Sequence, residues 1–143
     1  MRKCVFVISP LRGTPEQLRE IQDEIDRRVA FAGSDATVNV LEVCAALRRV
    51  LLHSNMELAK RLCHEVARLG HAPFAPHVFY PLFLDDTIED ERNDGIECGR
   101  AIMVGFDEAW VYRKLGMSEG MIGDVSRAET FGVPSFTPPE WMP

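Results

Sequence analysis

The chain has 143 residues, 46% hydrophobic and 27% charged, the proportions of one globular domain large enough to bury a core without disulfides or metals. Twenty-two acidic against 16 basic residues leave a formal charge of −6, which disfavours a nucleic-acid polymer or an anionic membrane as partner but permits a small anion bound locally. No apolar run approaches the ~20 residues that cross a bilayer, and Cys4–Ile8 is too short for a signal-peptide core, so a cytoplasmic protein is expected.

Cys4-Val5-Phe6-Val7-Ile8 is a continuous β-branched and aromatic run ending at Ser9-Pro10, the pattern of a central parallel strand covered on both faces. The loop through Leu11, Arg12 and Gly13 leads to Thr14-Pro15-Glu16-Gln17, where Thr14 caps, Pro15 suits the first helical position and Gln17 completes a capping box. The helix predicted from there buries Leu18, Ile21, Ile25 and Val29, pairs Asp23 with Arg27 and Glu24 with Arg28, and stops at Gly33-Ser34-Asp35.

Thr37-Val38-Asn39-Val40 alternates as a strand does, while Val40, Val43, Leu47 and Leu51 repeat as a helix does; helix from about Val40 is favoured. Ser54-Asn55-Met56-Glu57 reads as a second capping box, opening a separate helix with Leu58, Leu62, Val66 and Leu69 inward and Gly70 as its stop. Ala72–Pro76 is a short second strand whose prolines limit its pairing, with His77 at its exit.

An acidic loop, 85–91, precedes a helix carrying Ile96, Ile102 and Met103, and Glu108–Tyr112 follows as a third strand. Ser118 opens a helix with Met121, Val125 and Ala128 inward, closed by Gly132 and Pro134; Val133–Thr137 makes a last strand and the proline-rich tail is irregular. The alternation predicts an α/β, Rossmann-like open parallel sheet of four to five strands with helices on both faces, a single domain over residues 1–143. The four cysteines form no C-x-x-C pair and read as reduced and mostly buried.

In such folds ligands collect beyond the carboxyl ends of the strands. There the chain offers Ser9 and Arg12, then His77, then Ser118-Glu119-Gly120-Met121 and Asp124. A small residue at a helix start leaves free N–H groups and the positive dipole end for an anion, and Gly120 allows close approach; taken alone, Ser118 is more simply explained as an N-cap. Asp124, six residues on, is expected to stay ionised near that end, as a nucleophile, an electrostatic partner or simply a solvated helix carboxylate. His77 is a general acid or orienting group, or a structural histidine; Arg12 is a phosphate fork, or a solvated loop arginine. Dinucleotide, P-loop, hydrolase-elbow and zincin motifs are absent, and Asp85, Asp86 and Glu89 read as a solvated acidic run more readily than as metal ligands, so neither metal nor cofactor is expected.

Five segments in order, Val5–Gly13, Gly70–His77, Phe83–Asp86, Asp107–Val111 and Ser118–Asp124, resemble the nucleoside 2-deoxyribosyltransferase-like superfamily, especially its small bacterial and phage members and the 2′-deoxynucleoside 5′-monophosphate N-glycosidases. The likeness covers residues 3–13 and about 54–136, so 14–53 reads as an enlarged first crossover. It implies that Ser9 and Arg12, with Pro10 and Gly13 of the same loop, hold a 5′-phosphate together with Ser118, Gly120 and Met121; that His77 lies near the sugar; and that Asp124 attacks the anomeric carbon. The family carboxylate is normally a glutamate, longer by one methylene. A tyrosine usual near the end of the first strand is replaced by Val5 or Phe6, and the nearest counterparts of an aspartate on the helix before the third strand are Glu97 and Cys98.

The resemblance thus implies N-glycosidic bond hydrolysis, or deoxyribosyl transfer, on a nucleotide or nucleoside, with His77, Glu97 or Asp86 protonating the leaving base. The alternative is a nucleotide-binding or sensing module that has lost turnover. It further implies a homodimer or larger homo-oligomer, for which Phe79, Tyr80, Leu82 and Trp141 are the candidate apolar surface.

Overall fold

Alternate residues of the first strand are apolar in both phases, so it must be covered on both faces, and it is. In the computed structural model, which describes residues 1–33 and 39–143, β1 (Cys4–Ile8) is interior to a four-stranded parallel sheet ordered β2-β1-β3-β4, with β2 Ala72–Phe74, β3 Glu108–Val111 and β4 Ser135–Phe136. Val5 and Val7 point to one face, where they pack with Leu58, Leu62, Val66, Trp110 and Tyr112. Phe6 and Ile8 point to the other, against Met103, Ala109, Val111, Met121 and Ala128. Helices therefore cover both faces, and the chain reverses direction of winding at β1, leaving a crevice at the carboxyl ends of β1 and β3.

The first crossover consists of α1 (Pro15–Ala32) and α2 (Val40–Arg68). Thr14 and Gln17 form the expected capping box, and α1 ends at Gly33, whereas Ser34, Asp35, Thr37 and Val38 lie outside the described residues. The predicted apolar stripe of α1 is mostly not core: only Ile25 is buried, while Leu18 and Val29 are exposed, because α1 packs on α2 and not on the sheet. Arg27 and Arg28 both turn to Glu24, at 2.8 and 2.7 Å.

The separate helix predicted from Ser54 is instead the second half of α2, which runs 29 residues without a break. No glycine or proline interrupts residues 40–68, and Asn55 is tolerated mid-helix because its amide is satisfied by tertiary partners. Gly70, at φ 87°, ends α2 in a Schellman arrangement, with His71 N–H donating to the Val66 carbonyl. Leu69, predicted inward, falls past the stripe and is exposed.

The second crossover holds α3 (Pro76–Phe79), a 3₁₀ turn over Tyr80–Leu82 and α4 (Glu89–Met103); the third is α5 (Glu119–Thr130). Ile96 and Ile102 of α4 are exposed, and its buried positions are Gly99 and Met103. The tail is irregular, yet Met142 is buried among the α2-face residues and Lys114 Nζ donates to the carbonyls of Glu140 and Met142. Of the proposed apolar surface, Phe79, Leu82 and Trp141 are exposed but Tyr80 is buried. The thiols are free, with Cys4 and Cys98 exposed and Cys44 and Cys63 half-buried, so the expectation of mostly buried cysteines is corrected. Among the described residues no helix is long and apolar enough to cross a membrane.

Candidate functional site

A cleft of about 450 Å³ lies beyond the carboxyl ends of the strands, a size suited to a small organic ligand. Its walls come from the β1–α1 loop, α3 with the turn after it, α4 and the start of α5. Gly95 and Gly99, one turn apart on α4, face Tyr80 and Pro76, and a Cβ at Gly99 would stand in ordinary contact with Pro76 at 3.4 Å.

The β1–α1 wall is held by a buried polar network. The Thr14 hydroxyl accepts from Gln17 N–H and donates to the Leu115 carbonyl; Gln17 Nε2 donates to Asn55 Oδ1 at 2.9 Å; and Asn55 Nδ2 donates to the Leu11 carbonyl at 2.9 Å. One amide thereby ties α1, α2 and the loop carrying Arg12. Gly13 is at φ 122°, and a Cβ there would meet Leu51 at 2.8 Å, so glycine alone fits this turn.

Arg12 lines the cleft but is already engaged: Nε donates to Asp86 Oδ2 at 2.9 Å and Nη2 lies 2.8 Å from the same oxygen, while Nη2 also contacts the Asp86 carbonyl. Asp86 is thus a counter-ion across the mouth of the cleft, with Arg92 Nε 3.9 Å from its other oxygen. Ser9 and Pro10 do not reach the lining. Both are buried, the Ser9 hydroxyl has no partner among the described residues, and what Ser9 contributes is its carbonyl, 2.8 Å from His77 Nε2.

That contact fixes the chemistry of His77. A carbonyl only accepts, so Nε2 carries the proton. Burial holds the imidazole below its ordinary range, against the opposing effects of the Ser9 carbonyl and Asp86. The ring is therefore neutral at pH 7, with Nδ1 left as an acceptor.

The opposite wall is the start of α5. Ser118 is its N-cap, accepting from Met121 N–H at 3.3 Å, and it also lines the cleft, so the two readings of this residue hold together. The N–H groups of Glu119 and Gly120 precede the first intrahelical bond. Gly120 faces open space, the nearest atom to a built Cβ being Ser118 Oγ at 3.9 Å.

Asp124 lines the same cleft from the second turn, beyond the reach of the helix-end field. Burial raises its carboxyl to about 6, with Arg100 and Arg127 pulling the other way. The expectation that the dipole keeps it readily ionised is thus corrected, since desolvation outweighs it.

Glu97 is not brought to the cleft. It projects from the solvent side of α4, with its side chain 68% exposed, and pairs with Arg100 Nη1 at 2.8 Å. His77, Arg12, Gly13, Asp86, Ser118, Gly120, Met121 and Asp124 do converge on one cavity. Sequence reasoning missed Arg92 and Arg100, which line it from α4, and Asn55, which supports it. No local signal marks the two arginines, since only the packing of α4 brings them to the cleft. Among the described residues no group of three His, Cys, Asp or Glu side chains is placed to hold a metal.

No curated protein and no solved structure matches the chain. The profile of one family, described as Domain of unknown function (DUF7768), matches residues 39–137, which run from the start of α2 through β4 and include His77, Asp86, Arg100, Ser118 and Asp124. With that match over more than half of its length, the chain belongs to the DUF7768 family.

Proposed function

We propose that the protein cleaves the N-glycosidic bond of a (deoxy)nucleoside 5′-monophosphate, with Asp124 as nucleophile. The observation that carries this reading is a partly buried carboxylate on the wall of a ligand-sized cleft, a little over one helical turn beyond unbonded amides that suit an anion. With the phosphate near the Ser118 turn, an Asp124 oxygen attacks the anomeric carbon, the bond to the base breaks, and its electron pair leaves with the base. Water then opens the glycosyl ester and frees the sugar phosphate. Transfer to a second base differs only in the acceptor.

His77 is assigned a different part from the one the sequence suggests. Its one proton is directed at the Ser9 carbonyl, so the ring serves as acceptor for the proton of the incoming water, and the leaving base is protonated from solvent. Glu97 has no part, because it faces away from the cleft.

The test is to incubate the protein with a panel of ribo- and deoxyribonucleoside monophosphates and to follow free base by chromatography. Release by the wild type and none by Asp124→Asn is expected; no release with any nucleotide contradicts the reading. A nucleotide-binding module without turnover is the second reading, favoured by the engagement of the His77 proton with the Ser9 carbonyl. Calorimetric binding without base release identifies it.

A further inference from the structure

The cleft is lined by Arg12, Arg92 and Arg100, and they differ in what they have left to offer. Arg12 spends Nε and Nη2 on Asp86, and Arg92 lies 3.9 Å from the other oxygen of the same carboxylate, an ionic contact without a hydrogen bond. Arg100, in the last turn of α4, donates from Nη1 to Glu97 at 2.8 Å. Its Nε is buried without a partner, and Nη2 makes no hydrogen bond among the described residues.

Nε–H and Nη2–H lie along one edge of the guanidinium, the edge that pairs side by side with two oxygens of a phosphate or carboxylate. That unpartnered edge reaches α5: Nη2 lies 3.5 Å from the position a Cβ on Gly123 would take, immediately before Asp124. Arg100 and Asp124 are close enough to influence one another but form no ion pair. Glu97 is too exposed to substitute for a partner on the inner edge. A buried donor without an acceptor calls for an explanation, and beside a ligand-sized cleft a bound anion supplies one.

We infer that Arg100 is the receptor for the phosphomonoester of the substrate and the residue that sets preference for nucleotide over nucleoside. This rests on the nucleotide reading of the cleft above. The fork binds two phosphate oxygens from the α4 side while the amides of Glu119 and Gly120 approach from the other, and Arg12 remains the partner of Asp86. A lysine at this position supplies the charge but only one donor direction, so it recovers part of the preference.

Calorimetry on the full chain tests this with a nucleoside 5′-monophosphate, the matching nucleoside, and inorganic phosphate as competitor. The wild type is expected to favour the nucleotide by about tenfold or more and to lose that margin as phosphate is added. Arg100→Gln should bring the two ligands to near-equal affinity while nucleoside affinity is retained, and Arg100→Lys should lie between. An unchanged margin in Arg100→Gln, or equal losses for nucleoside and nucleotide in both variants, overturns the inference. Cleavage without an Arg100-dependent margin refutes this assignment and leaves the functional reading standing; an Arg100-dependent margin without cleavage does the reverse. No binding of nucleotide or phosphate by the wild type rejects both.

Discussion

The two walls of the cleft are built on opposite principles. On the β1–α1 side nearly every polar group has a protein partner: Thr14, Gln17 and Asn55 bond one another, Arg12 is matched to Asp86, and the Ser9 carbonyl is matched to His77. On the α4–α5 side Arg100 Nη1 bonds Glu97 and Ser118 caps α5, but other polar groups have no partner among the described residues: Asp124 is a partly buried carboxylate pushed up by desolvation, Arg100 Nε is unpaired, and Gly120 lies beside amides that precede the first intrahelical bond. Satisfied polar groups make a scaffold rigid, whereas unsatisfied ones cost stability and await a ligand. The first wall is a scaffold, and the proposed chemistry belongs to the second.

Asp124→Asn separates the walls most strongly. It should reduce base release by at least about 10³-fold and yet stabilise the fold. The folded carboxyl, at about 6, lies above its unfolded value near 3.9, so the native state favours the protonated form and ionisation works against folding. The gain from asparagine should be absent below about pH 4, grow between pH 4 and 6, and reach on the order of 3 kcal/mol at most above that. Denaturant midpoints across pH measure it. Activity should rise through pH 6 to a plateau, as a nucleophile requires; a fall above pH 6 would instead mark Asp124 as a proton donor.

Asn55→Ala attacks the scaffold wall. It strands the part-buried Leu11 carbonyl and Gln17 amide, at a cost toward the low end of the about 1–3 kcal/mol of an unpaired buried group, and should lower the unfolding midpoint without shifting the pH profile. An effect on activity alone would break the division of labour.

Gly120→Val is the converse. The added Cβ meets only Ser118 Oγ, at 3.9 Å, and glycine is the poorer helix former by roughly 0.5 kcal/mol, so stability should hold or improve while nucleotide affinity falls by about tenfold. Smallest of all, Arg12→Gln removes a half-exposed pair with Asp86 and should change stability by less than about 1 kcal/mol in thermal or chemical unfolding.

What the sequence discloses follows the range of the interaction. The capping boxes at Thr14 and the N-cap at Ser118 are contacts within one turn, and both are legible; so is the strand at Cys4–Ile8, whose composition already demands two covered faces. Ser54-Asn55 presents the same local signature as Thr14 but is overridden, because Asn55 finds partners 38 and 44 residues away. The cleft residues after each strand are legible from topology, since a parallel sheet brings them to one end. Arg100 is not: Glu97 and Arg100 at i,i+3 read as a surface pair, and only the packing of α4 on α5 turns the other guanidinium edge inward. Glu97 fails for the same reason in reverse, since its helical phase faces solvent.

The most direct measurement of the central claim is covalent trapping. The protein is incubated with a nucleotide whose sugar carries fluorine at the 2-position, which slows opening of the glycosyl ester, and is then digested and mapped by mass spectrometry. The account predicts a sugar-phosphate adduct on the peptide containing Asp124, absent in Asp124→Asn. Base release with an adduct on another residue, or with direct evidence of single-step inversion at the anomeric carbon, contradicts it.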